Sequence, residues 1–224
     1  MSGAREPTAD AREERISDLV PIAQGRVSVR VGGRVVCRVP AQVVSALRLR
    51  VGDPWSQSVS DGVRERVGLW RARRDAERLI ARRAVSRAEL LARLEGRGHP
   101  TDVGARVAED LAAVGLIDDR RLAKEVIQWR LQARPAGRAL LEQMLIRRGI
   151  GEDDARDALD EALADRPPGS GATDAAEKWW GARPRGEPHA AARRLAGFLL
   201  RRGFDDEEVR DAVRTIAGIE LDQP

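Results

Sequence analysis

The sequence predicts a mainly α fold: tandem three-helix repeats in an elongated array, preceded by a small N-terminal module built on a β-hairpin. Three observations carry this prediction. One short grammar occurs three times, as Leu94-Glu95-Gly96-Arg97-Gly98-His99, Leu145-Ile146-Arg147-Arg148-Gly149-Ile150 and Leu199-Leu200-Arg201-Arg202-Gly203-Phe204. The last two copies also agree beyond the glycine, because Ala155-Arg156-Asp157-Ala158-Leu159 and Val209-Arg210-Asp211-Ala212-Val213 sit at the same offset from Gly149 and Gly203. The three glycines are 51 and then 54 residues apart, longer than the usual two-helix repeat and enough for a third helix per unit. Ahead of the repeats the apolar period changes to the alternation of strands.

Each copy of the grammar reads as a basic helix end. Glycine stands where a left-handed C′ residue is needed, the leucine four residues earlier is C3, and the residue after glycine is C″, whose contact with C3 accompanies a Schellman stop. That contact is apolar for Leu145 with Ile150 and for Leu199 with Phe204; His99 fits the first copy less well.

In chain order, residues 1–18 are small, charged and aperiodic, which predicts a mobile tail. Residues 19–62 form the β module: Val27-Ser28-Val29-Arg30-Val31 alternates, Gly32-Gly33 supplies a two-residue hairpin turn, and Val35-Val36-Cys37-Arg38-Val39 returns. Val43, Val44 and Leu47 suggest a short helix after Pro40. Residues 63–133 hold a basic helix, with Val67, Trp70, Leu79 and Ile80 inward, and the first repeat. In that repeat Ser86-Arg87-Ala88-Glu89 has the capping-box pattern, Thr101 is expected to cap the second helix, and Asp118 or Asp119 the third. Val103, Val107, Leu111 and Val114 make one stripe, ended by Gly115; Leu122, Val126 and Trp129 make the next, so Trp70 and Trp129 are expected in the core. Residues 134–183 are the second repeat, with Pro135 in a first-turn position, Leu140, Leu141, Met144 and Leu145 following, Ala155, Leu159 and Leu163 inward, a Pro/Gly-rich linker over 166–171 and a short helical piece from Ala175 to Trp180. Residues 184–224 are the third repeat and C-terminal tail, with breaks at Arg183 to Pro188, inward Leu195, Phe198, Leu199, Val209, Val213 and Ile216, and a cap from Asp205 with Glu208.

Composition bounds the function. The chain has 224 residues, is 42% hydrophobic, and carries 40 basic against 36 acidic residues, a net charge of +4. A core and many solvated faces are both expected, and so small a net charge does not choose between an anionic polymer and an acidic protein groove. The lone Cys37 excludes an intramolecular disulfide and, with no apolar run of about 18 residues and no signal-like N-terminus, points to the cytoplasm and away from membranes.

The sequence carries few groups with a recognisable chemistry. His99 and His189 are remote from each other and lack metal-ligand spacing with Cys or carboxylates. No phosphate-cradling glycine loop, nucleophile elbow or kinase signature occurs, and Asp118-Asp119 reads as a helix cap rather than a catalytic dyad. No cofactor is expected.

Arginine is the residue type with something to explain. Between Arg71 and Arg83 there are six arginines against two acids, and Arg97, Arg148 and Arg202 recur at equivalent repeat positions, forming a row able to follow a helical polymer. Arg82, Arg83, Arg138, Arg147, Lys178, Arg193, Arg194 and Arg201 are further candidates for phosphates or acidic side chains, arginine being suited to bidentate contacts. Two readings stand together: solvated helix faces with favourable charge at helix C-termini, worth about 0.3–1 kcal/mol each, or a binding track. Trp179-Trp180 leans in opposite directions on a helix, so one ring is expected to be exposed as an anchor for a partner.

The order Ser86-Arg87-Ala88-Glu89-Leu90-Leu91, Gly115-Leu116-Ile117-Asp118-Asp119-Arg120-Arg121-Leu122-Ala123, Arg134-Pro135-Ala136-Gly137-Arg138 and Arg147-Arg148-Gly149-Ile150, then Phe198-Leu199-Leu200-Arg201-Arg202-Gly203-Phe204, resembles the RecX family over roughly residues 67–217. Longer chains of that kind carry a similar hairpin module. Leu122 stands where the family commonly has an aromatic. The resemblance implies a curved array of three-helix repeats that lies in the groove of the RecA–DNA filament and restrains its growth and activity, in recombination, DNA repair and the SOS response, without catalysis. The expected partners are the RecA filament and, weakly, single- or double-stranded DNA alone, with the chain a monomer. Two rival classes are a DNA-binding protein, since three-helix units resemble helix-turn-helix domains, and a repeat scaffold for another protein.

Overall fold

A computed structural model describes residues 14–182 and 187–220. Among these the fold is mainly helical with one small antiparallel sheet, and the chain divides into two compact units. One takes the described residues up to Glu77 together with Gly98–Val107; the other takes Arg78–Arg97 and the described residues from Ala108 onward.

The first unit contains β1 (Ile16–Ile22), β2 (Arg26–Val31) and β3 (Arg34–Pro40), in that spatial order and antiparallel throughout. The Gly32-Gly33 turn holds φ of 55° and 80°, the double positive φ of a primed hairpin turn. Strand β1 is an addition to the expected hairpin: Ile16, Ser17 and Asp18, assigned to the tail, pair instead with β2 or close the module, and Ile16 N donates to Asp53 O at 2.9 Å. Residues 1–13 of that tail lie outside the described residues. The inner face of the sheet presents Val29 and Val39 to Val43 of α1 (Ala41–Ala46) and to Val63 of α2 (Gln57–Ile80). Trp70 packs on this core and its Nε1 donates to Gln42 Oε1 at 2.8 Å, a half-buried indole with its polar end satisfied. The in-out alternation of β3 breaks at Val36, where a bulge after Val29 lets Arg30 pair with Val35 and leaves both valines exposed.

The second unit holds α3 (Arg87–Glu95), α5 (Asp119–Ala133), α6 (Arg138–Arg147), α7 (Glu152–Leu163), α8 (Ser170–Gly181), α9 (Pro188–Leu200) and α10 (Asp206–Ala217), while α4 (Thr101–Ala113) passes from one unit to the other. Ser86 Oγ accepts from Glu89 N at 3.1 Å, but Glu89 then turns its carboxylate to Arg83 and Arg93; the full reciprocal capping box forms at Asp205 and Glu208. Asp118, not Asp119, caps α5 by accepting from Arg121 N at 2.8 Å. Thr101 is the first helical residue of α4, whose Gly104 N already bonds Pro100 O. Pro135 does not open a helix: α6 starts at Arg138, behind an extended Gly137 with φ −80° and ψ 167° whose amide donates to Arg202 O.

Helices α5 to α10 bury apolar faces in two compact cores. One joins α5, α6 and α7 around Ile127, Leu141, Leu145, Ile150 and Leu159; the other joins α8, α9 and α10 around Leu195, Leu199, Phe204, Val209 and Val213. Counting repeats from the glycine stops attaches α5 and α8 to the helices before them, whereas packing joins each to the next two helices in the chain. The linker is shorter than 166–171, since α8 begins at Ser170 and runs 12 residues. Alanines 172, 175 and 176 bring α8 close to its neighbours, and both Trp179 and Trp180 become half-buried at the edges of that alanine face, so neither is the free ring expected. Trp129 corrects the core prediction in the opposite sense: it is 67% exposed. The buried stripe of α5 is Leu122, Ala123 and Ile127. With about 100° per residue, Trp129 lies on the far side of Leu122 from the centre of that stripe.

Candidate basic interface

The glycine stops are Schellman motifs, as the sequence grammar requires. Ile150 N donates to Leu145 O at 3.1 Å and Gly149 N to Ile146 O at 2.8 Å; Phe204 N reaches Leu199 O at 3.4 Å and Gly203 N reaches Leu200 O at 2.9 Å. Their glycines have φ of 75° and 79°. In the first copy Gly98 keeps a φ of 83°, while His99 Nε2 lies 3.0 Å from Asp75 Oδ2.

Each of the last two stops is also a docking point. Ser86 Oγ, at the start of α3, donates to Arg148 O at 2.7 Å, and Arg148 Nη2 reaches back to Ala84 O at 3.4 Å. One repeat later, Gly137 N, at the start of α6, donates to Arg202 O at 2.9 Å, Ala139 N to Gly203 O at 3.2 Å, and Arg202 Nη1 to Pro135 O at 3.0 Å. Arg148 and Arg202 are therefore half-buried latches that hold a helix end against an earlier helix start. The third member of the expected row, Arg97, is exposed.

Two of the remaining candidates have local roles or open surroundings. Arg138 pairs with Asp160 at 2.6 Å, and Arg82 is exposed at the end of α2. Arg83, Arg147 and Arg148 border one cavity of about 480 Å³ together with Glu89, which already neutralises Arg83.

A concentration of positive charge lies around Trp179 and Phe198, whose ring centroids are 6.0 Å apart. These rings form a shared wall between two cavities. On one side, about 570 Å³, stand Arg193, Arg194 and Arg201; on the other, about 470 Å³, stand Arg134, Lys178 and Arg202. Among the described residues no carboxylate lines either cavity. The Arg202 guanidinium sits 4.5 Å over the Phe198 ring, a cation–π contact that fixes its plane. Burial, and then repulsion from Arg130 and Arg134, hold the Arg202 pKa below the ordinary arginine range. Arginine stays protonated under such pressure, so an anion entering here relieves a like-charge cluster.

Five of the eleven sequence candidates, Lys178, Arg193, Arg194, Arg201 and Arg202, are thus brought to one place. Sequence reasoning missed Arg130 and Arg134, although their spacing of four at the end of α5 was a readable sign of a basic helix end, and it put Phe198 wholly in the core. Such a site can hold extended anions: arginines supply paired donors for phosphate or carboxylate, and the rings offer apolar faces beside them.

A family model described as RecX, third three-helix domain, matches residues 171–213, which span most of α8–α10. A Regulatory protein RecX from Chromohalobacter salexigens is 39% identical over 141 residues, covering 63% of this chain and 90% of that one. Another, from Chlorobium phaeobacteroides, is 33% identical over 143 residues, again covering 63% and 90%. A crystal structure of regulatory protein RecX matches with a TM-score of 0.74 at 19% identity, covering 90% of this chain and 99% of that one. A RecX structure from Lactobacillus salivarius matches with a TM-score of 0.58 at 17% identity over 68% of this chain, and supports the fold alone.

Proposed function

This chain belongs to the RecX family of regulatory proteins, and from that premise we propose that it is a non-enzymatic regulator that binds the RecA–DNA filament in the cytoplasm. In this reading it restrains RecA's ATP hydrolysis, strand exchange and filament growth in recombination, DNA repair and the SOS response. The observation that carries the reading is the pair of cavities on either side of Trp179 and Phe198, each lined by three cations and, among the described residues, by no carboxylate. A nucleoprotein filament presents phosphate and acidic side chains together, and an arginine-rich surface with apolar rings suits both. Binding to bare DNA is expected to be weak and steeply salt-dependent.

The test is RecA's DNA-dependent ATP hydrolysis and strand exchange, with and without the folded chain at stoichiometric levels. Arg193→Glu with Arg194→Glu and Arg201→Glu, all at exposed positions, should raise the concentration needed for half-maximal effect by roughly tenfold or more while leaving helicity unchanged. No effect of the native chain on RecA sinks the proposal. A DNA-binding protein acting apart from RecA fits the same cations, and is the better reading if bare DNA binds tightly while RecA's rates stay unaltered.

A further inference from the structure

The outer face of the three-stranded sheet carries a chemistry that the cavities of the helical repeats do not absorb. Residues paired across a ladder share a face, so the register sorts the strands. Leu19, Val29 and Cys37 form one row, and Pro21, Val27 and Val39 another, on the side of the core around Val43 and Val63. Asp18, Arg30 and Val35, then Val20, Ser28 and Arg38, then Ile22, Arg26 and Pro40, form the rows of the opposite face, in which Ser28 and Pro40 are buried and the residues around them are more open.

On that face Val20, Ile22 and Val35 are 36%, 37% and 45% exposed, and the bulged Val36 is 42% exposed. Among the described residues of that face, Arg26, Arg30 and Arg38 stand against the carboxylate of Asp18. Arg26 Nη2 donates to Arg38 O at 2.7 Å, which holds its guanidinium across β3, and the Arg30 Nε is buried with no hydrogen-bond partner. A sheet face that combines open aliphatic side chains with an excess of guanidinium groups is unfinished on both counts.

The two features together choose the partner. The charge calls for an acidic one. Nucleic acid on a sheet is held by aromatic stacking, and this face has no aromatic ring among the described residues. The aliphatic side chains gain only against a partner that offers apolar groups of its own. An extended segment repeats its side chains on one face every ~6.8 Å, the same period as the sheet beneath it. We propose that the outer face of the β1–β2–β3 sheet is a docking surface for an acidic polypeptide segment in which carboxylates are interleaved with aliphatic side chains.

The proposal does not depend on the cavities of the second unit. Its test is fluorescence anisotropy of the full chain with a labelled Glu-Leu peptide of repeating Glu-Ser-Leu-Ser, whose extended form sets Glu and Leu on the same face, compared with an all-Glu peptide and an oligo-dT of equal charge. The Glu-Leu peptide should bind roughly tenfold more tightly than either comparator. Arg26→Glu with Arg38→Glu, both at exposed positions, should lose roughly tenfold of that affinity, and Val20→Ser with Val35→Ser should lose several-fold while keeping every charge. Circular dichroism of both variants checks the fold. Absence of peptide binding, peptide affinity unmoved by both variants, or oligo-dT binding that falls only with the arginines and exceeds the peptide's, each overturns it.

Discussion

Gly137→Ala is the most direct probe of how one repeat engages the next. Gly137 precedes α6 with φ −80° and ψ 167°, a conformation open to any residue, so backbone strain is not at issue. A Cβ there would lie 2.1 Å from Gly203 O, 2.2 Å from Gly203 C and 2.3 Å from Phe204 N, all backbone atoms that cannot swing aside. Relief needs a displacement of about 1 Å, which stretches the Gly137–Arg202 and Ala139–Gly203 hydrogen bonds at roughly 1 kcal/mol each and adds about 1–3 kcal/mol of overpacking. The total is about 3–5 kcal/mol, or a melting temperature lower by roughly 6–20 °C for a chain of this size. Gly151 is the internal control. It precedes α7 with φ −62° and has nothing within 4 Å of its Cβ position. There the loss of a favourable cap residue is offset by reduced unfolded-chain entropy, leaving about 0–1 kcal/mol. Thermal unfolding by circular dichroism compares the two variants, and hydrogen exchange at the amides of Gly137 and Ala139 localises the effect where several cores melt separately. Equal shifts for Gly137→Ala and Gly151→Ala would refute the interlock.

Gly203→Ala, at φ 79° and with its Cβ 2.2 Å from Leu140 N, should cost more than Gly115→Ala, whose φ of 71° stands in open space and costs only about 1–2 kcal/mol; chemical denaturation of both variants reads the difference. Trp129→Ala, on an exposed ring, should change stability by less than about 0.5 kcal/mol, whereas Leu141→Ala, 1% exposed, should cost about 2–5 kcal/mol. Glu187 accepts from Ala190 N at 2.7 Å and His189 N at 3.2 Å, and these bonds hold its pKa below the ordinary glutamate range. The lowered folded pKa means its contribution to the start of α9 is present above the unfolded glutamate value and is lost as pH falls through the folded value. Amide protection at Ala190 should therefore decline with acid in the native chain, and Glu187→Gln should abolish that dependence.

Much of the local structure was legible because it is local. The hairpin comes from Gly32-Gly33 between alternating valines, the helix stops from glycine four residues after leucine, and the caps at Asp118 and Asp205 from short polar side chains before apolar periods. These depend on backbone preference within a few residues, which composition and spacing report. Of the eleven candidate cations, Lys178, Arg193, Arg194, Arg201 and Arg202 line the cavities beside Trp179 and Phe198, and the other six do not.

Tertiary structure decided the rest, since it depends on which surfaces meet. Strand β1 lacked a clean alternation of its own and exists because β2 offers it a ladder. Trp129 left the core because the partners of α5 fixed its inward stripe at Ala123 and Ile127. The equivalent arginines 148 and 202 became latches because an earlier helix start lies beside each stop, a contact between residues more than sixty positions apart. The sequence by itself determined where helices end and how often; only the packing of those ends settled which charges are tied into the fold and which gather around Trp179 and Phe198. Periodicity records one element's own geometry, whereas burial and charge compensation belong to pairs of elements brought together by the fold.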